Sequence, residues 1–358
     1  MAIARRRRIA VVPGDGIGIE VLAAQRQVLA LLDQKRKLGL ELVDKDWGAE
    51  RWLKEKVGLP KGALEDLRDN YDAVTFGALG DPRIPDMAHG REILLGMRQG
   101  LDLYANMRPI RCLDDSLSPL KGKGEKEIDF VCFRENTEDM YVSLGGVFKQ
   151  GTDDEVAQDV SINTRKGVER VIRHAFEYAK KSGRTKVTMS DKHNAIRFGG
   201  GLWKRTFEAV AKEYPGITAD HLFVDVAAME FVRKPERFSI VVCNNLFGDI
   251  LTDLGAALGG GLGLAASANI HPGRIGLFEP VHGSAPDIAG KGIANPLAAF
   301  LTASLMLDFL DAPEEAKIVD DAVRACIKRG PKTPDMGGEA TTAAITDFVL
   351  FEIDRALS

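Results

Sequence analysis

Cysteine is scarce in this chain: four in 358 residues, at positions 112, 132, 243 and 326, with no C-x-x-C pair. That excludes a disulfide-stapled scaffold and leaves buried thiols in a reducing compartment as the expectation. Positive charge is not in excess, since 48 Lys and Arg face 52 Asp and Glu for a net charge of −4, so no broad cationic surface for nucleic acid is expected. The one basic run, Arg5 to Arg8, has no interleaved aromatic residues and reads as a solvated lead-in to a first strand. Long apolar runs are missing as well. Ile9 to Val12 stops at Pro13-Gly14, too short for a signal-peptide core. The longest nearly apolar stretch, Pro296 to Leu310, is too short to span a bilayer and reads as a buried helix, with Asn295 as its N-cap and Pro296 in its first turn. A cytoplasmic protein with no membrane or nucleic-acid partner is therefore expected.

What remains is ordinary globular composition, 45% hydrophobic and 28% charged, long enough for two domains or one large α/β unit. Short β-branched runs alternate with helical periodicity. Ile9 to Val12, Ala73 to Phe76, Ile128 to Phe133, Lys186 to Met189 and Ser239 to Cys243 read as strands, and Ile19 to Leu32 as a helix. Val168, Val171, Ile172, Ala175, Phe176 and Ala179 recur at the spacing of one helical face. The alternation predicts helices layered on a central sheet. Tyr141 to Asn163 breaks it, with two short alternating stretches around Gly151-Thr152-Asp153-Asp154, and suits a projecting hairpin arm.

Glycine is plentiful, and two glycine-rich segments invite a dinucleotide-binding reading. In Pro13-Gly14-Asp15-Gly16-Ile17-Gly18 the G-x-G-x-x-G fingerprint fails because position 19 is Ile19. Gly261 to Ala266 fits G-x-G-x-x-A only formally, because it follows a helical segment rather than a strand. Close packing or a hinge is the expected role there.

Three groups of residues carry chemistry. Asn245 to Asp253 follows an apolar strand, and Asp249 and Asp253, four apart, fall on one helical face while Ile250, Leu251 and Leu254 are free to bury. Like charges at that spacing repel and need compensation, which Mg²⁺ or Mn²⁺ would supply; a solvated acidic face is the alternative. Arg98, Arg108 and Arg134 offer forked donors suited to a dicarboxylate, although surface ion pairing is the usual fate of arginine. Tyr141 follows Arg134 by seven residues, and Lys192 follows a strand end, where α/β sites collect. Phe278 to Gly290 is rich in small residues that let backbone approach a phosphate or ribose, and Asp287 is able to accept both ribose hydroxyls; a structural loop is the alternative.

Together these segments resemble the β-decarboxylating dehydrogenases of the isopropylmalate, isocitrate, homoisocitrate and tartrate/D-malate group. The resemblance runs from Pro13 to Gly338 and is most specific at Asn245 to Asp253 and Glu279 to Pro296. It implies an α/β, isopropylmalate dehydrogenase-like fold: two α/β domains sharing a mixed sheet, not a Rossmann fold. Residues 1–104 and 260–358 would form the cofactor-binding domain from both chain ends. Residues 105–259 would form the central domain with the dimer interface and an arm at about 141–163. By the same resemblance NAD contacts fall at Ile17, Asn194, Glu279, His282, Gly283, Ser284, Ala285, Asp287, Ile288, Asn295 and Asp335. NADP enzymes of the group carry a Lys-Tyr type pair where this chain has Asp287-Ile288. Arg98, Arg108 and Arg134 would hold the malate carboxylates. Asp249 and Asp253 of one subunit, with Asp225 of the other, would hold Mg²⁺ or Mn²⁺. Lys192 from the partner would take the hydroxyl proton, and Tyr141 would protonate the enolate left by loss of CO₂. A homodimer with composite active sites follows.

The C3 substituent of the malate decides the substrate. Leu94 and Leu95 precede Arg98 where isopropylmalate enzymes keep an apolar pair, and the Ser-x-Asn pattern of isocitrate enzymes and the homoisocitrate-type Arg are absent. The expectation is NAD-dependent conversion of 3-isopropylmalate to 2-oxo-4-methylpentanoate, a step of leucine biosynthesis. Arg91, near where isopropylmalate enzymes usually have Glu, and the tartrate/D-malate-like stretches Arg134 to Glu138 and Ser143 to Gly146 keep D-malate, tartrate and homoisocitrate as alternatives. Asp139 stands where the group usually has Gly. A non-catalytic regulatory subunit is the alternative from another class, but such subunits typically lose metal or clamp residues, and here every one of those positions is filled.

Overall fold

The computed structural model describes residues 6–358; Arg5 lies outside the described residues. Its strands are β1 (Arg7–Gly14), β2 (Leu40–Asp44), β3 (Ala73–Ala78), β4 (Ala105–Arg111), β5 (Asp129–Glu135), β6 (Gly145–Phe148), β7 (Val156–Asp159), β8 (Lys186–Asp191), β9 (Thr218–Phe223), β10 (Ile240–Cys243), β11 (Ala266–His271) and β12 (Ile275–Pro280). The chain divides into two compact units. Unit 1 comprises Met1–Leu103, Cys112–Pro119 and Gly259–Ser358, and unit 2 comprises Tyr104–Arg111 and Leu120–Leu258. Where the sequence suggests one excursion from 105 to 259, Cys112–Pro119 belongs with unit 1, and Leu117 packs there against Gly260.

In unit 1 the strand order is β2-β1-β3-β12-β11, parallel except for the β11/β12 pair. Its core gathers Val12, Trp47, Val74, Phe76, Ile93, Met97 and Leu277. The basic run is less solvated than its sequence suggests. Arg7 and Arg8 open β1, and Arg8 donates its backbone N–H to Asp72 (2.9 Å) and lies over the Tyr71 ring. The Gly14–Gly18 turn explains why its glycines miss the nucleotide fingerprint. A Cβ at Gly14 would lie 2.0 Å from Ala78 O, and one at Gly16 would lie 2.0 Å from Ser284 O. These glycines let the turn press on β3 and on the 284 loop.

In unit 2 the order is β4-β5-β10-β8-β9, parallel except for β4/β5. The periodic segment forms the helix Arg165–Ser182, with all six periodic apolar residues buried. Thr164 caps its N-terminus and Gly183 ends it in the left-handed conformation. β6 and β7 pair antiparallel as a hairpin that exposes Leu144, Val147, Phe148 and Val156. All four cysteines are buried, and none is in a disulfide. The apolar stretch forms the helix Leu297–Phe309, with Pro296 at the cap position, one residue later than expected. Asn295 lies just before the cap, yet its Oδ1 still accepts the Leu297 N–H at 3.0 Å. No helix among the described residues is long and apolar enough to cross a membrane.

Candidate active site

β10, buried along its length, delivers the chain to the helix Asn245–Leu258. Two acceptors meet the first-turn N–H groups of this helix: Asn244 Oδ1 takes Phe247 N (3.0 Å) and Asp139 Oδ2 takes Leu246 N (2.9 Å). The helix buries Asn245, Gly248, Leu251, Thr252 and Gly255, while Ile250 is 58% exposed, contrary to the expectation that it would bury. The reason is phase: the buried stripe runs through 248, 251, 252 and 255, and position 250 faces away from it. Gly248 is needed for close approach, since a Cβ there would lie 2.6 Å from Arg134 Cγ.

That approach puts Asp249 and Asp253 over β4 and β5. The antiparallel register pairs Asn106 with Arg134 and Arg108 with Cys132, so Arg108 and Arg134 are diagonal neighbours on one face. Arg134 is 1% exposed. It donates to Asn245 Oδ1 (2.8 Å) and to Asp249, and its guanidinium lies over the Tyr141 ring. Arg108 donates to Thr252 Oγ1 (2.7 Å), pairs with Asp253 (3.3 Å) and lies 3.8 Å from Asp249. Tyr141 donates its hydroxyl to Asp249 at 2.8 Å. Two buried guanidiniums are costly without counter-charge, and the two i, i+4 carboxylates supply it. The repulsion visible in the sequence is thus balanced by Arg108 and Arg134. Arg108 Nε is buried with no partner, and both carboxylates keep part of their surface open.

Elsewhere in unit 2, Lys192 directly follows β8 and donates to Asp225 on the helix Val224–Arg233 at 2.6 Å. That bond holds the Asp225 carboxyl below the usual carboxylate range. Asn194, two residues on, is exposed.

Unit 1 holds Arg98, whose guanidinium pairs with Glu279 at 2.9 Å, while Glu279 also accepts from Asn269 at 2.8 Å. Arg98 Nε is buried with no partner. Leu94 and Leu95 lie on the π-helical turn Arg91–Leu95; both are half-buried, and Leu94 packs against the core. Arg91 is exposed.

The 279–295 segment of unit 1 meets the Gly14–Gly18 turn, where Ile17 N–H donates to Ser284 O at 2.8 Å. Ala285 adopts a φ of 39° in this bend, and Gly283 and Asp287 are exposed. Ile288 packs with Ile17, Val21 and Leu22. Asn295 donates to Asp335 at 2.9 Å. His282 Nε2 is buried with no partner, and burial pushes the imidazole pKa down, so the ring is neutral near pH 7. Beside this loop lies a cleft of about 450 Å³ lined by Gly16, Ile19, Gly80, Pro286, Ala289 and Gly290, among others.

Two residues have an organising role that the sequence leaves unassigned. Asp15, 6% exposed, ties this region together by accepting from Ala49 N (2.6 Å) and Gly80 N (2.9 Å) and bonding His89 Nε2 (2.8 Å). Asp139 is the other. It has a φ of 69° and is buried, and it joins Ser161, Ile162 and the Asp249 helix. A carboxylate flanked by glycines in a supposed phosphate loop, and a non-glycine in a glycine position, were the available signals.

The isocitrate/isopropylmalate dehydrogenase family model matches residues 8–349. A 3-isopropylmalate dehydrogenase of Thermobifida fusca is 44% identical over 348 residues, 97% of each chain. A decarboxylating D-malate dehydrogenase of Escherichia coli is 41% identical over 96% of this chain and 97% of its own. The crystal structure of an isocitrate dehydrogenase from Methylococcus capsulatus superposes with a TM-score of 0.86 at 36% identity, covering 97% of this chain and 99% of the other. On these grounds the chain belongs to the isocitrate/isopropylmalate dehydrogenase family of decarboxylating dehydrogenases.

Proposed function

We propose that this enzyme oxidatively decarboxylates a 3-substituted malate with NAD, that 3-isopropylmalate is the preferred substrate, and that it serves leucine biosynthesis in the cytoplasm. The observation that carries this reading is the cluster of Arg108, Arg134, Tyr141, Asp249 and Asp253. It combines forked cation donors for substrate carboxylates, a phenol for proton delivery and hard oxygen donors. Arg98 and Arg108 each hold an unspent buried Nε–H, which suits an anionic ligand. Asp249 and Asp253, partly open and one helical turn apart, fit Mg²⁺ or Mn²⁺, with Asp225 as a third donor. The unpartnered His282 Nε2 and the cleft beside Asp287-Ile288 fit the polar edge and nucleoside of NAD. The exposed carboxylate of Asp287 would repel a 2′-phosphate. On this reading unit 1 binds the cofactor through Ile17, Glu279, His282 to Ala285, Asp287, Ile288, Asn295 and Asp335, and Asn194 reaches it from the partner.

When bound, NAD supplies the hydride acceptor and the divalent cation the Lewis acid. The chain's own groups do the rest. Arg98, Arg108 and Arg134 hold and orient the carboxylates, Lys192 Nζ takes the C2 hydroxyl proton, and the Tyr141 hydroxyl returns a proton to the carbon that loses CO₂. Lys192 and Asp225, bonded to each other, would enter the neighbouring subunit's site as a pair. Met229, Val232 and Ile250 on two helices of unit 2, with the apolar arm, are exposed apolar residues that such a dimer would bury.

A second reading, D-malate as the better substrate, is favoured by Leu94. Its packing against the core leaves Leu95 as the less committed half of the apolar pair. A panel of 3-isopropylmalate, D-malate, tartrate, isocitrate and homoisocitrate with Mn²⁺ and either NAD or NADP decides. The expected result is the highest kcat/KM for 3-isopropylmalate with NAD. An apolar pocket distinguishes each methylene by only about 1–3 kcal/mol, so D-malate turnover should persist at a lower level. A higher kcat/KM for D-malate or tartrate overturns the substrate, equal use of NADP overturns the cofactor assignment, and no turnover of any of the five overturns the reading.

A further inference from the structure

A second group of ligand-type side chains converges in unit 2, built from residues that the proposed reaction does not use. Asp191 ends β8, His193 follows Lys192 in the next turn, and His221 lies on β9, the parallel neighbour of β8. The register pairs Asp191 with Phe223 and Met189 with His221, so Asp191 and His221 stand on one face as diagonal neighbours. The turn after β8 closes through Ala195 and Ile196 N–H donating to Lys192 O, at 2.9 and 2.7 Å, and brings His193 back over that face. Gly200 in the next helix presses on it from behind, since a Cβ there would lie 2.6 Å from His193 Cα. Phe223 fixes both rings, with centroids 5.0 Å from His193 and 5.1 Å from His221.

His193 Nδ1 lies 2.9 and 3.0 Å from the two Asp191 carboxylate oxygens, and His221 Nε2 lies 2.7 Å from Oδ1. All three donor atoms fall within 4.8 Å of one another. We propose that Asp191, His193 and His221 form a binding site for a divalent transition-metal ion of the zinc type. Ligands about 2.1 Å from a tetrahedral metal lie about 3.4 Å apart, so the imidazole–carboxylate spacings of 2.7 to 3.0 Å need open by only about half an ångström to become those of a coordinated set. Two imidazoles and one carboxylate favour zinc, copper, nickel or iron over Mg²⁺, which takes oxygen donors. Asp191 is 5% exposed at its side chain and held by the sheet, while the two rings are 21% and 29% exposed, leaving one side open for water to complete the shell. Binding exchanges two imidazole–carboxylate hydrogen bonds for coordinate bonds, with each ring carrying its proton on the opposite nitrogen. The donor set shares no residue with Asp225, Asp249 and Asp253. Because Asp191 and His193 flank Lys192, an ion held there would also fix both sides of the residue that presents that amine.

The test is direct binding to the full chain, stripped with chelator and kept in excess Mg²⁺. Zinc titration by calorimetry should give one site per chain. Loss of an outer-shell partner alone weakens metal affinity about 10–100-fold, so His193→Ala and His221→Ala should each weaken zinc by about tenfold or more. Asp249→Asn should leave the site intact. If a histidine variant fails to fold by circular dichroism, the Co²⁺ form of the unaltered chain decides. Its proton NMR spectrum should show two strongly shifted, solvent-exchangeable imidazole N–H signals. Absence of a zinc site in excess Mg²⁺, unchanged zinc affinity in folded His193→Ala and His221→Ala, or a Co²⁺ form without shifted imidazole signals each overturns the proposal.

Discussion

Replacing Asp139 sets two energies of opposite sign against each other. Its backbone, at φ 69° and ψ −143°, lies near a region that is essentially reserved for glycine, and a non-glycine residue there carries about 1–3 kcal/mol of strain. Against this stand its bonds. One carboxylate oxygen accepts Leu246 N–H (2.9 Å) at the start of the Asp249 helix, and the other accepts Ser161 Oγ (2.5 Å) at the base of the arm. A buried acceptor at a helix N-terminus contributes about 0.5–2 kcal/mol, raised by its negative charge. Asp139→Ala removes the bonds and keeps the strain, so it should destabilise the protein by about 2 kcal/mol. Asp139→Gly removes the same bonds and relieves the strain, so it should fall within about 1 kcal/mol of the parent. Asp139→Asn keeps an acceptor and loses the charge, and should lie between them. Urea unfolding read as a change in midpoint at constant m-value measures all three. If Ala and Gly are equally stable, the strain argument fails. If Ala matches the parent, the capping argument fails.

Acid should destabilise the protein through His174, which packs edge-on to Phe133 and whose pKa burial pushes down to about 4. The folded chain then binds fewer protons than the unfolded one, so stability falls as pH drops from about 6.5 toward 4, by about 3 kcal/mol in all; His174→Phe should flatten that part of the urea-midpoint profile, and an unchanged profile refutes the assignment. Chelation should abolish turnover and Mn²⁺ or Mg²⁺ should restore it, whereas full activity in metal-free buffer would contradict the role given to Asp225, Asp249 and Asp253. Mixing dissociated Lys192→Met and Asp249→Asn chains should restore about half the parent activity per mixed dimer, because one of its two sites receives both intact residues. Heterodimers that form and stay inactive refute the shared site.

The elements whose signal is local are legible in the residues alone. The six apolar residues from Val168 to Ala179 specify one buried helix face, and the i, i+4 spacing of Asp249 and Asp253 places both on one side of a turn, because helical period alone decides which residues are neighbours. The failed fingerprint at Ile19 was likewise legible, and the motifs of the family implied the roles proposed for the arginines, Lys192 and Tyr141. Which faces meet is a non-local matter, set by how distant segments pack. The β4/β5 register sets Arg108 and Arg134 diagonally on one face, and the bare Gly248 lets the Asp249 helix close on them, turning a repulsive carboxylate pair into a balanced cluster. Ile250, apolar and inside an apolar helix, faces outward because the stripe that packs runs through 248, 251, 252 and 255. Asp139 caps a helix that begins more than a hundred residues later, and Asp191 meets His221 only because β8 and β9 pair. Periodicity reports the direction of a side chain relative to its own backbone; the partner it finds depends on strand order and on the close approaches that glycines permit.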